Sequence, residues 1–217
     1  MEGNIFEYLK RFWQFVWYGD SLASWIISIL LAFILVKFII YPGLGLVFGT
    51  SYPVVAVVSG SMEHKMVGND GNYVICGKIL DKKEDVNFDL YWDICGDFYN
   101  GVGISKEQFG SFKFKNGFNT GDVMVIFGTK PKDIKIGDVI VFRSNKPDPI
   151  IHRVIGIANK EGRPAFKTKG DHNGNSGSDE LSIDEDRVIG KAVLRMPFVG
   201  YVKITFVKLL YIIGIRG

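Results

Sequence analysis

The sequence predicts a mainly β domain carried on an N-terminal membrane anchor. Two observations support this fold class. An apolar stretch at residues 21–41 carries a single charged residue, Lys37, and from residue 117 onward short apolar runs follow Gly-Asp turn pairs. The chain has 217 residues, of which 47% are hydrophobic and 23% charged, which is the composition of a folded protein with room for one domain besides its membrane segments.

The first segment, residues 1–19, places apolar side chains at helical spacing, with Glu7, Lys10 and Arg11 between them. This pattern is typical of an amphipathic helix that lies in the membrane interface. A helix that packs on the protein's own core has the same spacing, and the sequence leaves both interpretations open.

Residues 20–48 form the predicted transmembrane anchor. A helix over residues 21–41 would be about 31 Å long at about 1.5 Å per residue, which is enough to cross the hydrocarbon core of a bilayer. Pro42, Gly43 and Gly45 are expected to break this helix.

The charges that flank the anchor predict its orientation. Lys10 and Arg11 precede the span, and no Lys or Arg follows it until Lys65. The positive-inside rule therefore predicts a cytoplasmic N-terminus in the cell membrane and an extracytoplasmic domain. No small-residue cleavage site follows the apolar run, so we expect a retained anchor.

The predicted β domain covers residues 49–200 and begins with the apolar strand Val54–Val58. Ser59-Gly60-Ser61 follows, which is turn chemistry, and it would hold a hydroxyl at the end of a rigid element. An ordinary loop has the same composition. A catalytic interpretation requires a base, a group that orients the base and an oxyanion site.

An aromatic-rich segment, residues 65–118, interrupts the strand pattern. A capping box at Ser105–Gln108 predicts a short helix there. Cys76 and Cys95 are the only cysteines; they form a disulfide in an oxidising compartment or remain as two unpaired buried thiols, and their spacing allows either.

The remaining predicted strands follow in order along the rest of the domain: residues 121–127, 137–142, 150–157, 165–169 and 187–194. The apolar tail, residues 201–217, contains Lys203 and Lys208. Because lysines inside a span are costly, we expect this tail to lie on or dip into the membrane in preference to a second crossing.

Three histidines are candidates for the base. His152 lies inside a predicted apolar strand, where a lone histidine is commonly a core residue but is also the natural partner of a serine nucleophile near neutral pH. His64 follows the serine turn closely, and His172 lies in a polar loop. That loop, residues 168–180, carries the acids Asp171 and Asp179; it lacks the ligand spacing of a calcium-binding EF-hand.

The order of these motifs resembles type I signal peptidases. After the anchor come Val-Ser-Gly-Ser-Met-Glu at residues 58–63, Ile-His-Arg-Val-Ile at 151–155 and Lys-Gly-Asp-His-Asn at 169–173. The likeness covers residues 22–64 and 117–200. It is strongest to the archaeal branch, which is similar to the catalytic subunit of the endoplasmic-reticulum complex and carries histidine where most bacterial members carry lysine.

This resemblance implies a role for each candidate residue. Ser61 would be the nucleophile and His152 the general base, while the Ser59 hydroxyl and the Ser61 backbone N–H would form the oxyanion hole. Asp171 matches the acid of the family's Gly-Asp motif. The second family acid usually comes six residues later, where this chain has glycine; we therefore expect Asp179 to orient His152 and Asp171 to support the site.

The resemblance implies a signal-peptidase-like coiled β-sheet and a serine endopeptidase that cuts exported preproteins after their signal segment. Its partners would be preproteins and the lipid bilayer, with no metal or organic cofactor. Nucleic acid is not an expected partner, because the net charge is only +3 and no basic run with interleaved aromatic residues is present.

Two other functions are considered beside this one. A self-cleaving repressor-type protease shares the fold but carries a DNA-binding domain. A membrane-tethered β-domain that binds a partner without catalysis would make use of the aromatic segment at residues 65–118.

Overall fold

The structure, a computed structural model, describes residues 4–145, 147–199 and 201. The chain divides into two compact units, residues 1–47 and 48–217, which we describe separately. Apart from Tyr201, the predicted membrane-associated tail lies outside the described residues.

The first unit is helical. Helix α1 is Ile5–Tyr18, and it leaves apolar side chains such as Phe6 and Trp13 more than half exposed. Helix α2, Leu22–Leu35, packs against α1, since the Ser24 and Ser28 hydroxyls donate hydrogen bonds to carbonyl oxygens of α1. The exposed apolar surface of α1 is what the interfacial interpretation requires.

One continuous helix, Leu22–Phe48, has 27 residues and a mean hydropathy of 2.5, so it is long and apolar enough to cross a membrane. It consists of α2, a π-helical turn at Val36–Ile40 and α3, Tyr41–Phe48.

Contrary to expectation, this helix does not break at Pro42. The π-helical turn shifts the backbone pairing, so that the N–H of Tyr41 donates to the carbonyl of Val36. The helix ends instead at Gly49, whose φ of +63° suits a residue without a side chain.

The second unit is built on a curled antiparallel sheet of seven strands. Its strands are β1 Val54–Ala56, β5 Val123–Phe127, β6 Val139–Phe142, β7 Ile150–Lys160, β8 Arg163–Lys169, β9 Ile183–Asp184 and β10 Val188–Met196. Their spatial order is β1-β5-β10-β6-β7-β8-β9. Register shifts in the pairings of β10 with β5 and β6 and of β7 with β8 bend the sheet. The predicted mainly β fold class is confirmed.

The segment at residues 65–118 forms a subdomain of its own. A second antiparallel sheet consists of β2 Val67–Asn69, β3 Asn72–Ile75 and β4 Lys78–Leu80, and two helices follow, α4 Phe88–Gly101 and α5 Lys106–Ser111. The predicted cap of α5 is present, since the Ser105 hydroxyl accepts from the N–H of Gln108 at 3.2 Å.

A disulfide joins the end of β3 to α4. It links Cys76 and Cys95, whose Cα atoms are 5.7 Å apart. Cys95 lies in the aromatic core of this subdomain, which also contains Tyr91, Tyr99 and Phe109. The disulfide therefore fixes α4 to a strand of the small sheet, and the alternative of two free thiols does not apply.

Candidate active site

The site forms around two adjacent residues of β7 that face opposite sides of the sheet. His152 pairs with Ile140 of β6, and Arg153 pairs with Val139. Because successive side chains of a strand point to opposite faces, His152 and Arg153 belong to two different networks. Both are buried, at 6% and 0% exposure.

The serine turn approaches the face of the sheet that carries His152. After β1 the chain is hydrogen-bonded to the turn that precedes β5, since the N–H of Val57 donates to the carbonyl of Asp122 at 2.8 Å. The carbonyl of Ser61 accepts from the N–H of His172 at 2.8 Å. The peptide of Ser61 is thus fixed from a second loop.

Ser61, His152 and Glu180 form a continuous hydrogen-bonded row. The Nε2 atom of His152 lies 2.8 Å from Ser61 Oγ, and its Nδ1 atom is hydrogen-bonded to Glu180 Oε1. A carboxylate at Nδ1 selects the imidazole tautomer whose Nε2 can accept a proton from serine. The geometry is therefore that of a serine nucleophile with an oriented base.

Glu180 is held in its charged form. Burial on its own would raise the pKa of this carboxyl, but the hydrogen bond and charge of His152, together with donors from Gly177 and Thr168, lower it. The Gly177 N–H lies 2.8 Å from Oε2, and the Thr168 hydroxyl 3.0 Å from Oε1. A charged carboxylate stabilises the imidazolium that forms when His152 takes a proton.

Ser59 lies beside the reacting hydroxyl. Its Oγ is 3.2 Å from Ser61 Oγ, and both side chains line the same cleft. A hydroxyl at this place is within reach of an oxyanion that forms on a carbonyl attacked by Ser61.

Gly170 allows the acidic loop to approach this row closely. A Cβ atom built at Gly170 would lie 2.7 Å from His152 Nε2 and 2.7 Å from the Ser61 carbonyl oxygen. Any side chain here would push against the base and the nucleophile together, so only glycine fits without displacement.

The structure places Glu180 at His152 and Asp179 elsewhere, in contrast to the expectation that Asp179 orients the base. Both carboxylate oxygens of Asp179 accept hydrogen bonds from Asn145, at 2.8 Å from its side chain and 3.3 Å from its backbone. The reason is the 3₁₀ turn Ser178–Glu180, which directs the two neighbouring side chains differently.

The sequence contains a signal for Glu180 that the loop composition obscures. Gly177 starts the turn, and a glutamate three residues later is the spacing of a capping box, in which the carboxylate returns to the first N–H of the turn. That bond is present between Gly177 and Glu180, and it brings the carboxylate back over β8.

Asp171 belongs to the network on the opposite face. It is fully buried, and its carboxylate accepts from Arg153 Nη2 at 2.6 Å and Nε at 2.9 Å. Burial would raise the pKa of Asp171, but the charge of Arg153 and the hydrogen bonds from His64 and Arg153 hold it well below its usual range. Asp171 therefore supports the site from the face of the sheet opposite to His152. Its carboxylate is bonded to Arg153 and not to His152.

His64 lies in the same buried network and is not a solvated loop residue. Its Nε2 is 3.0 Å from Asp171 Oδ2, and its ring stacks on Tyr91 with centroids 3.5 Å apart. His172 is only partly buried; its Nδ1 lies 3.2 Å from the carbonyl oxygen of Glu63. Of the three histidine side chains, the structure thus brings only that of His152 to the hydroxyl of Ser61.

An open cleft of about 730 Å³ leads to the serine and the base. Its apolar lining includes the run Val55–Val58 together with Pro149 and Ile150. β1 is the terminal strand of the sheet order, so its outer edge has no neighbouring strand among the described residues. Such an edge can pair with an extended peptide.

Within the described part of the chain, no cluster of three or more His, Cys, Asp or Glu side chains is arranged to hold a metal ion.

Comparison with known proteins gives a consistent set of relatives. The chain is 33% identical over 94 residues to "Signal peptidase complex catalytic subunit SEC11C" of Homo sapiens and of Mus musculus, an alignment covering 40% of this chain and 49% of each relative. It is 31% identical over 94 residues to "Signal peptidase complex catalytic subunit SEC11" of Colletotrichum graminicola, covering 40% of this chain and 55% of that protein.

The chain spans about half the length of the curated relatives it matches. No protein-family model matches it. Over the matched part, the chain is a homologue of the catalytic subunits of signal peptidase complexes, which confirms the resemblance that its motifs predict.

Proposed function

We propose that this protein is a membrane-bound signal peptidase, a serine endopeptidase that removes N-terminal signal peptides from exported preproteins. The observation that carries the proposal is the row Ser61–His152–Glu180, which opens into a peptide-sized cleft. The homology to signal peptidase catalytic subunits supports the proposed substrate class.

In the proposed reaction, Ser61 Oγ attacks the scissile carbonyl carbon while His152 Nε2 takes its proton. Glu180 holds Nδ1–H and stabilises the imidazolium. The negative charge on the carbonyl oxygen is stabilised by the Ser61 backbone N–H and the Ser59 hydroxyl. The imidazolium then protonates the leaving amine, which releases the mature protein and leaves the signal peptide esterified to Ser61.

The second half of the reaction hydrolyses the ester, with water in the role that Ser61 has in the first half. His152 accepts a proton from water, whose oxygen attacks the ester carbonyl. The ester bond to Ser61 breaks, the serine oxygen recovers a proton from His152, and the signal peptide leaves with a free carboxylate. No step needs a metal or an organic cofactor.

The substrate would lie extended along the free edge of β1. Main-chain pairing there supplies affinity, and alternate side chains of the peptide would point to the wall at Val55–Val58. The helix Leu22–Phe48 would hold the enzyme at the bilayer, with the N-terminus in the cytoplasm and the second unit on the outer face of the cell membrane.

Cleavage of a synthetic preprotein in detergent tests the proposal. Wild-type protein should cut it after the signal segment, and Ser61→Ala should lose about 10⁴-fold or more in kcat, as expected for a lost serine nucleophile. Ser178→Ala removes an exposed hydroxyl from the same cleft and should retain wild-type rates. A wild-type protein that does not cut, or an active Ser61→Ala variant, would contradict the proposal.

The partner-binding alternative is less well supported. The structure contains a serine that is hydrogen-bonded to a buried histidine, which is in turn paired with a carboxylate. A domain that only binds a partner does not require this arrangement.

A further inference from the structure

Helix α4 extends three buried side chains along one face. Tyr91, Cys95 and Tyr99 are spaced four residues apart, so they lie above one another on the helix. Their exposures are 0%, 3% and 0%. Cys95 is fixed by the disulfide, and the two tyrosines extend to the face of the main sheet opposite to Ser61.

Both tyrosine hydroxyls donate to one residue, Asp171. The Tyr99 hydroxyl donates to the carboxylate oxygen Oδ1 at 3.0 Å, and the Tyr91 hydroxyl donates to the backbone carbonyl at 2.9 Å. The inserted subdomain thus binds the side chain and the main chain of Asp171 at once.

Asp171 is the centre of a short turn, Gly170–His172, that fixes the nucleophile. The N–H of His172 donates to the carbonyl of Ser61 at 2.8 Å, and the Asp171 carboxylate bonds to His64, three residues beyond Ser61. His172 Nδ1 also lies 3.2 Å from the carbonyl oxygen of Glu63. The turn therefore binds the serine loop at several points, while Gly170 lies directly against His152 Nε2.

The disulfide reinforces the same turn. The N–H of Cys76 donates to the carbonyl of His172 at 2.8 Å. Through Cys76 and Cys95 the small sheet and α4 are joined covalently, so the bonds from Tyr91, Tyr99 and Cys76 to the turn all come from one cross-linked unit.

Buried positive charges on the same face of the sheet also contact Asp171. Asp171 lies among the buried cations Arg153 and Lys169, and the Lys169 ammonium bonds to the carbonyls of Gly170 and Asp171 at 3.0 and 3.2 Å. Burial lowers the pKa of Lys169 to about 8. Arg153 and Lys169 make charge-assisted hydrogen bonds to Asp171, and the two tyrosine hydroxyls are the donors that connect the same carboxylate and carbonyl to α4.

We propose that Tyr91 and Tyr99 are positioning residues of the peptidase, which fix the Gly170–His172 turn and through it the alignment of Ser61 with His152. This inference rests on the proposed function. It gives the segment at residues 65–118 a role in catalysis, although this subdomain contributes no side chain to the cleft among the described residues.

The kinetic test compares Tyr91→Phe, Tyr99→Phe and the double variant with Tyr73→Phe. Each change removes one hydroxyl and keeps the ring; Tyr73 is a half-buried residue of the same subdomain whose hydroxyl is not among the donors to Asp171. With a synthetic preprotein, well below each unfolding midpoint, kcat should fall about 10-fold in each test variant and further in the double variant. KM should not change, because the cleft is on the other face.

A second measurement does not depend on activity. Amide hydrogen exchange at His172 and Cys76 should be faster in Tyr99→Phe and in the double variant than in wild type or Tyr73→Phe. Wild-type kcat together with wild-type exchange in the double variant would overturn the inference. If the wild-type protein fails to cut the preprotein, the proposed function falls, and the exchange result alone then upholds or overturns the positioning of the turn.

Discussion

At the scale of single residues, adjacent side chains take separate roles. His152 faces the serine, whereas Arg153 neutralises Asp171 behind the sheet. The resemblance of the motifs to type I signal peptidases predicts Ser61 and His152 as partners, and the structure brings the two side chains within hydrogen-bond distance. The orienting carboxylate could not be predicted in the same way, since a one-residue difference between Asp179 and Glu180 depends on the geometry of a 3₁₀ turn.

Glu180 should therefore be the acid on which catalysis depends. Glu180→Gln keeps the shape but permits the wrong imidazole tautomer at His152, so kcat should fall about 10³–10⁴-fold, as for other triads that lose their carboxylate. Asp179→Asn, the neighbouring control, should stay within a few-fold of wild type because Asp179 bonds to Asn145. Steady-state cleavage of a preprotein measures both, and a larger loss in Asp179→Asn would exchange the two roles.

At the scale of elements, the sequence predicts six of the seven strands of the main sheet, and the two-residue strand β9 is not among them. Apolar runs after Gly-Asp pairs became β5 and β6 at the expected places. The inserted subdomain was less predictable: α4 contains two glycines and five aromatic residues within Phe88–Gly101, and it is stabilised by the disulfide and by packing in its aromatic core more than by helix propensity.

The orientation of the helix Leu22–Phe48 is a testable prediction at this scale. Since Lys10 and Arg11 flank only its N-terminal side, protease added to right-side-out vesicles should degrade the second unit, from residue 48 onward. Inside-out vesicles serve as the control and should protect it. Protection in right-side-out vesicles would reverse the proposed topology.

At the scale of the whole molecule, buried ionisable groups make stability depend on pH. Burial lowers the pKa of His64, against the opposing effect of Asp171, and burial also lowers the pKa of His172. The unfolded chain therefore binds more protons than the folded protein once the pH falls below the ordinary histidine value of 6.5. The depressed pKa of Asp171 adds a further loss below its ordinary value of 3.8.

The free energy of unfolding should thus decrease as the pH falls from about 6.5, by up to about 1.4 kcal/mol per pH unit for each extra proton that the unfolded chain binds. Urea unfolding in detergent between pH 7.5 and pH 5 measures this slope. His64→Gln keeps a donor for Asp171 and cannot titrate, so its slope should be shallower. Equal slopes in the two proteins, or higher stability at pH 5, would contradict this account.

The central claim is that Ser61 and His152 act as one catalytic unit, and a double-variant comparison tests it most directly. When two groups work together, removing either costs about as much as removing both. The kcat values of Ser61→Ala, His152→Ala and the double variant on a synthetic preprotein should therefore agree within a few-fold, all about 10⁴-fold or more below wild type. Losses that multiply in the double variant, or a His152→Ala variant with near-wild-type kcat, would show that the 2.8 Å contact between Nε2 and Oγ is not the catalytic one.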